Sequence, residues 1–409
     1  MQNQPMLVLN SGSSSIKFSM WEDSAGQPKK LLEGELEGIG EGHGKDASFW
    51  IKSWMGNAGG AKIVDEKPQA SDIGSAFAMI TKALEQSSFP HPVAIGHRMV
   101  CGGPTVIEHQ RITAALLDEM ERYTHFAPLH SPSEIFLMRQ AMQMWPRTPN
   151  FVCLDSRFHR DMPEVTRQLP LPSEYTALGI RRFGAHGLSY ESIVHHLGAK
   201  LPSRVIAAHL GNGASICAIH DGQSIDTSMG LTPTGGIISG SRTGDLDPGV
   251  MIFLLRELAK NQSDTNKAAD QLEAAVNKHS GLLGVSQLTN DMRQLRESIG
   301  EGNAAAHLAV SQFVYVLRKY IGAYASALGG LDLLVFTGGI GENDTATRAE
   351  VCNGMQWLGI ALDPARNQAA KGEAVISTDN SVVTIKVIPA AEDLTIARHV
   401  RRLLKASAE

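Results

Sequence analysis

Short, uninterrupted apolar runs along this chain are punctuated by clusters of glycine and serine. Met6–Leu9 is such a run; it ends in Asn10-Ser11-Gly12-Ser13-Ser14-Ser15, and a strand pattern resumes at Ile16–Met20. Two strands joined by small polar residues predict a β-hairpin. The arrangement returns at Val205–Leu210, Gly211-Asn212-Gly213-Ala214-Ser215 and Ile216–Ile219, with Ser15 and Ile16 matching Ser215 and Ile216. Two halves built on one plan are therefore expected. Leu331–Phe336 predicts a further buried strand, followed by a turn at Thr337-Gly338-Gly339-Ile340-Gly341-Glu342-Asn343. Between these strands the apolar spacing becomes helical over Ile73–Leu84, Ser133–Met144, Asp247–Ala259, Ala304–Ala327 and Leu394–Ala406. The last of these carries Arg398, Arg401, Arg402 and Lys405 toward its C-terminal end, where cations suit the helix dipole. Strands mixed with helices predict an α/β architecture. Residues 22–70 are polar and glycine-rich and predict a β-rich excursion on the first domain.

Composition narrows the classes of function. A chain of 409 residues suggests two or three domains, and a 43% hydrophobic fraction supplies a large core. The formal net charge is only −5 and no block of five like charges occurs, so a nucleic-acid partner is not expected. Cys101, Cys153, Cys217 and Cys352 are far apart and form no CxxC, which fits reduced thiols in a cytoplasmic protein. The opening residues lack a basic segment followed by a long apolar one, so no secretory signal is expected. No apolar run approaches the length of a membrane span.

The candidate chemistry is phosphate chemistry without the common phosphate-binding motifs. No GxxxxGK[ST] occurs, and no GxGxxG follows the first strand. The two Gly/Ser hairpins can instead offer backbone N–H groups to phosphate oxygens, with Lys17 adding a point charge. Arg98, before Val100-Cys101-Gly102-Gly103, and Arg242, in Ser239-Gly240-Ser241-Arg242-Thr243-Gly244, sit where glycine lets a ligand approach the backbone. Each is a candidate clamp on an oxyanion. His186 lies in Phe183-Gly184-Ala185-His186-Gly187, a setting too small to be ordinary core. Asp155 ends an apolar strand, where ligands gather in α/β folds, or it caps a turn. Glu392 and Asp393 precede the last helix, where one can cap it and the other serve a site. Asp155, Glu392 and Asn10 offer hard oxygen ligands, which suit magnesium better than zinc.

In order along the chain, the segments LNSGSSSIKF, GHRMVCGG, APLHSP, LDSRFH, GIRRFGAHG, AHLGNGASICAI, DTSMGLTPTGG, SGSRTGDLDPG, TNDMR, FTGGIGEN and PAAEDL resemble the acetate kinase (acetokinase) family, which includes propionate kinases. The resemblance implies a two-domain actin-like fold, that of acetate and sugar kinases, heat-shock chaperones and actin, with an interdomain cleft. It implies a substrate-side domain of residues 1–154 plus 390–409 and a nucleotide-binding domain of residues 155–389. It also implies reversible, magnesium-dependent, in-line phosphoryl transfer between ATP and acetate or another short-chain carboxylate, giving acyl phosphate and ADP; manganese is an alternative metal. By resemblance the catalytic group is Asp155, His186, Arg242 and Arg98. Arg98, Val100, Leu129, His130, Ala185 and Pro233 surround the acid. Lys17, His209, Leu210, Gly211, Asn212, Gly213, Asp291, Met292, Arg293, Gly339, Ile340, Gly341, Glu342 and Asn343 match the nucleotide-binding segments. Asn10 and Glu392 match the metal-associated pair.

The chain departs from the family pattern beside the site. Ala185 stands where the family usually has phenylalanine, which predicts a roomier acid pocket and broader acceptance of propionate or butyrate. Cys101 replaces a common histidine, and TPTGG and ISGSRTGD replace bulkier segments. A homodimer is expected, with Ala304–Ala327 either its interface or a core helix. Two other readings stay open on residues alone. One is a sugar or polyol kinase of the same broad fold, with Asp155 as base. The other is a non-enzymatic nucleotide-binding module of the actin-like class.

Overall fold

The computed structural model describes residues 4–12, 14–24, 27–40, 47–55, 60–87, 89–260 and 264–407; Ser13 of the first serine run lies outside the described residues. The chain divides into two units. The first holds Met1–Arg157, Gly187–Ser192 and Ala391–Glu409, and the second Phe158–His186 and Ile193–Ala390. Residues 187–192 go with the first unit because Leu188 packs among Met6, Val8 and Val400.

The first unit is built on eight strands: β1 (Pro5–Ser11), β2 (Ser15–Ser24), β3 (Gln27–Glu37), β4 (Ser48–Ser53), β5 (Ala61–Glu66), β6 (Ala94–Met99), β7 (Gln110–Arg111) and β8 (Asn150–Leu154). Their order is β5-β4-β3-β2-β1-β6-β8-β7. The first hairpin is antiparallel, with Asn10 opposite Lys17, whereas β6 runs parallel to both β1 and β8. β1 is an unbroken apolar run because both its faces are covered. Leu7 and Leu9 pack with Phe77 and Ile80 of the Ile73–Gln86 helix and with Leu137 of the Ser131–Met144 helix. Met6 and Val8 pack with Ile396 and Val400 of the Glu392–Ala406 helix. That helix lies so close to β6 that a methyl group on Gly96 would come within 2.5 Å of Val400. The excursion expected over residues 22–70 is the outer part of this sheet, β3 to β5.

The second unit repeats the plan with β9 (Arg204–Leu210), β10 (Ala214–His220), β11 (Gln223–Thr227), β12 (Leu333–Thr337), β13 (Ala374–Val375) and β14 (Thr384–Val387). The order is β11-β10-β9-β12-β14-β13. The sequence β2-β1-β6-β8 in one sheet is matched by β10-β9-β12-β14 in the other. Each is a hairpin followed by two parallel strands. The Ala304–Ala327 helix buries Ala309, Phe313, Leu317 and Ile321 against this sheet, so it is a core helix. The apolar helix without a buried side chain is Pro248–Ala259, where Ile252 is 51% and Phe253 61% exposed. Residues 338–343, expected as a turn, form a short helix, Gly338–Asn343. It starts from Gly338 at φ +76°, where a Cβ would lie 2.8 Å from the Leu210 carbonyl oxygen.

Candidate functional site

In the first unit the parallel strands and the last helix bring four of the expected residues together. Arg98 lies near the end of β6, and Asp155 follows β8. Arg98 donates from Nε (3.0 Å) and Nη2 (2.6 Å) to Asp155 Oδ2, and from Nη1 to Asn10 Oδ1 at 3.2 Å. Asn10, at the end of β1, donates from Nδ2 to Glu392 Oε2 at 3.3 Å. Glu392 and Asp393 form the first turn of the Glu392–Ala406 helix, where negative charge suits the dipole. Ala391 holds the cap position, so neither acid caps the helix through its side chain. Asp393 instead accepts from Ser19 Oγ at 2.9 Å.

Electrostatics hold this cluster under tension. Asp155 is 0% exposed, and its second oxygen accepts the Leu188 N–H at 3.3 Å. Burial pushes its carboxyl above the usual carboxylate range, and the two-pronged Arg98 contact pulls against that shift. For Arg98, burial works against the charge, but Asp155 and then Glu392 outweigh it and raise its proton affinity. Asp155 and Glu392 place two carboxylates on one guanidinium, an excess of negative charge that a cation would balance. A carboxylate and an amide oxygen are ligands of the kind magnesium accepts, so Glu392 and Asn10 have the chemistry to hold it, although here Asn10 Oδ1 accepts from Arg98 and its Nδ2 donates to Glu392.

Val100 is buried just beyond β6, while Leu129 and His130 are partly exposed ahead of the Ser131–Met144 helix. Lys17 on β2 forms an ion pair with Glu35 of β3 at 3.4 Å.

In the second unit the cluster is built from backbone and rings. His186, at φ +56°, starts the Gly187–Leu197 helix and is buried. Its Nδ1 shares a 2.8 Å hydrogen bond with Ser215 Oγ, and its ring stacks on His209 with centroids 4.2 Å apart. Arg242 Nη1 donates to the Pro233 carbonyl at 3.3 Å. A methyl group on Gly213 would come within 3.3 Å of Arg242 Nη1 and 3.5 Å of His186 Nε2. The glycine loop thus carries both side chains at its edge, and a side chain at Gly213 would press on the end of Arg242. Ala185 is buried, and its carbonyl accepts from His159 Nε2 at 3.0 Å.

The other expected nucleotide-side residues make local bonds. Asp291 accepts the Arg293 N–H at 2.8 Å as a helix cap and pairs with the exposed Arg293 side chain; Met292 is buried. In the Gly338–Asn343 helix, Glu342 Oε1 accepts the backbone N–H groups of Gly338 (3.0 Å) and Ala390 (2.9 Å), while Asn343 Nδ2 donates to the Gly339 carbonyl at 2.9 Å.

Four side chains that the sequence did not single out support these groups. Ser215 orients His186, and its match to Ser15 in the repeated hairpin was the available signal. His159 anchors the Ala185 backbone; it is 0% exposed and burial lowers its pKa to about 4. Arg348, also 0% exposed, donates from Nη1 to the carbonyls of Gly341 (2.9 Å) and Glu342 (2.8 Å) and so holds that helix. Glu134 lies behind Arg98. Among the described residues one further group, His109, Glu191 and His399, has ligand atoms within 4.8 Å of one another. It does not suit a metal. Leu154 N–H (3.0 Å) and Arg402 Nη2 (3.2 Å) donate to the two Nδ1 atoms, so each ring carries its proton on Nε2 and has no lone pair left.

Two sheets of one plan, each with a hairpin, two parallel strands and functional side chains at the strand ends, define an actin-like kinase fold. Comparison with known proteins gives the family. The sequence model of the acetokinase family matches residues 5–398. An acetate kinase of Campylobacter lari is 38% identical, covering 98% of this chain and 99% of that protein. One of Phocaeicola vulgatus is 36% identical over 98% of this chain and 99% of its own length. Among solved structures, a propionate kinase of Francisella tularensis superposes with a TM-score of 0.86 at 34% identity, covering 98% of this chain and 100% of that one. An acetate kinase of Porphyromonas gingivalis superposes at 0.82, also with 34% identity and the same coverage. The chain belongs to the acetokinase family.

Proposed function

We propose that this protein catalyses reversible phosphoryl transfer between ATP and a short-chain carboxylate, acetate or propionate, giving an acyl phosphate and ADP. The observation that carries this reading is the Arg98–Asp155 pair: a partly buried guanidinium aimed by two bonds to one carboxylate oxygen, with Asn10 on its other edge. A carboxylate substrate is already ionised at neutral pH and needs no base. The enzyme's work is then positioning and charge neutralisation.

Arg98 receives the acid, with Val100, Leu129 and His130 of the same unit as surroundings of its alkyl group, and Ala185 and Pro233 of the second unit keep the substrate role that the family resemblance implies. Arg242 and His186 donate to the equatorial oxygens of the phosphoryl group in an in-line transfer. Ser215 fixes the ring of His186 for that purpose. The nucleotide draws on Lys17, His209–Gly213, Asp291–Arg293 and Gly339–Asn343. Magnesium, or manganese in its place, held by Glu392 and Asn10 together with nucleotide oxygens, would neutralise phosphate charge.

A sugar-kinase reading asks Asp155 to act as a base. Both its oxygens are already engaged, by Arg98 and by the Leu188 N–H, which favours the carboxylate reading. Four buried free cysteines fit a reducing, cytoplasmic setting. The exposed apolar face of the Pro248–Ala259 helix fits a homodimer, since monomers rarely leave such a surface to water. Sedimentation as a monomer would remove that part of the proposal.

The experiment is hydroxylamine trapping of acyl phosphate at fixed Mg·ATP across formate, acetate, propionate and butyrate. Signal with acetate or propionate is expected. Dominance of acetate by a large margin would refute a pocket enlarged at Ala185, and no signal with any acid, while ATP still binds, would sink the reaction itself.

A further inference from the structure

The Ser131–Met144 helix buries a carboxyl group that the proposed reaction does not use. Glu134 is 1% exposed. Its Oε2 accepts the Val100 N–H at 3.2 Å, and its Oε1 has no hydrogen-bond partner. Ser131 Oγ, one turn earlier and 0% exposed, is also without one. A charge in such a place is costly, and a carboxyl group avoids the cost by keeping its proton. Arg98 relieves it only through space, because its hydrogen-bond donors are committed to Asp155 and Asn10.

The charged groups that bear on Glu134 are Arg98 of β6 and Asp155 after β8. The other elements packed on its helix bring mainly apolar side chains. These are Phe77 from Ile73–Gln86, Leu117 and Met120 from Ala114–Glu121, and Leu7 and Leu9 from β1. His125 in the Thr124–Phe126 turn is exposed, and His130 stands at the helix start. Asp118 and Glu121 are exposed and engaged with Arg139.

We propose that Glu134 is a positioning residue for the acid: protonated, it holds the Val100 backbone and leaves the Arg98 charge to an anionic substrate, whereas ionised it competes for that charge. The inference rests on the reading that Arg98 receives a carboxylate. Burial pushes the Glu134 carboxyl up to about 8, against the pull of Arg98 and the Val100 N–H. Its protonated form therefore dominates at neutral pH. Substrate binding and protonation then favour each other reciprocally, because an anion on Arg98 makes a second nearby anion less favourable.

The test is kcat and KM for the acid in the whole enzyme from about pH 6 to about pH 10. In the wild type, KM is expected to stay flat and then rise above the Glu134 transition, by up to about tenfold per pH unit, as one proton is linked to one anion. Glu134→Gln keeps the shape and an acceptor for the Val100 N–H but cannot ionise. It is expected to lose the rise in KM at high pH that the wild type shows. A purely structural Glu134 would alter both parameters without removing a pH inflection.

A second measurement needs no substrate: carbon-13 NMR of carboxyl-labelled glutamate in wild type and Glu134→Gln, where a carboxyl titrating far above the usual range is present in the first and missing from the second, whereas Glu35, also pushed up to about 7, is present in both. Absence of that titration overturns the proposal. So do superimposable KM profiles for wild type and Glu134→Gln, in an enzyme that does phosphorylate the acid. If the carboxyl titrates late but no acid is phosphorylated, the reaction reading has failed and the positioning role falls with it.

Discussion

Around Arg98 in the first unit, charge is set against charge. A partly buried guanidinium is locked to Asp155 and Asn10, with Glu392 beyond and the Glu134 carboxyl among the acidic groups that bear on it. Around His186 in the second unit the materials are backbone and rings. Arg242 bonds a carbonyl, His186 bonds a serine hydroxyl, and Gly213 leaves both their space. The contrast separates two ways of holding a cation ready for an anion. In the first, every charge depends on its partners, so orientation and folding stability are bound together. In the second, a carbonyl and a hydroxyl are among the groups that aim the side chains, and function is expected to be lost with less damage to the fold.

Arg98→Ala should show the largest effect and strike twice. Turnover falls by about 10²–10³, as for loss of one donor to a developing negative charge. Stability falls as well, by about 3–5 kcal/mol, because Asp155 is left buried and uncompensated. Arg242→Ala should match that loss of turnover while its urea midpoint stays close to wild type. Steady-state kinetics and urea unfolding of both variants check the pair. Equal destabilisation of the two would erase the distinction between the two clusters.

Acid unfolding sharpens it further. His97, bonded to Asn150 in the first unit, and His159 in the second are buried neutral, and burial lowers both pKa values to about 4. The unfolded chain takes up these protons near the ordinary histidine value and the folded one does not. Their contribution to stability is therefore complete above about pH 6.5 and is lost as pH falls toward 4, at about 1.4 kcal/mol per pH unit for each ring. His159→Asn should shrink that slope in unfolding free energy measured between those limits, and an unchanged slope would mean that His159 is protonated in the fold. The smallest effect concerns Ala185. Ala185→Phe should shift the acid preference toward acetate by about 1–3 kcal/mol per methylene, read as the ratio of kcat/KM for acetate and propionate.

The strands were legible because burial on both faces demands unbroken apolar runs, and the hairpins because glycine and serine punctuate them. The Gly338–Asn343 helix was not legible, since three of its six residues are glycine and its geometry is held by Glu342 and Arg348 through bonds to backbone. Much of the candidate site was readable as motifs in order: Arg98 before a glycine pair, His186 among small residues, Asp155 at a strand end. Those motifs are local, and local spacing carries residue type and backbone freedom.

The partnerships are not local. Arg98 meets Asp155 across 57 positions and Asn10 meets Glu392 across 382, and both pairs exist because parallel strands and the final helix finish side by side. Glu134 shows the division most clearly. On the chain it is an ordinary acid in the first turn of a helix, well placed for the dipole and expected in water. The packing of that helix on β6 takes the water away and leaves one backbone N–H to one of its oxygens. The sequence by itself determined which groups were available and which segments could become strands and helices. The tertiary structure decided which of those groups lost their solvent, and therefore which are paired, which keep a proton and which stand ready for a ligand.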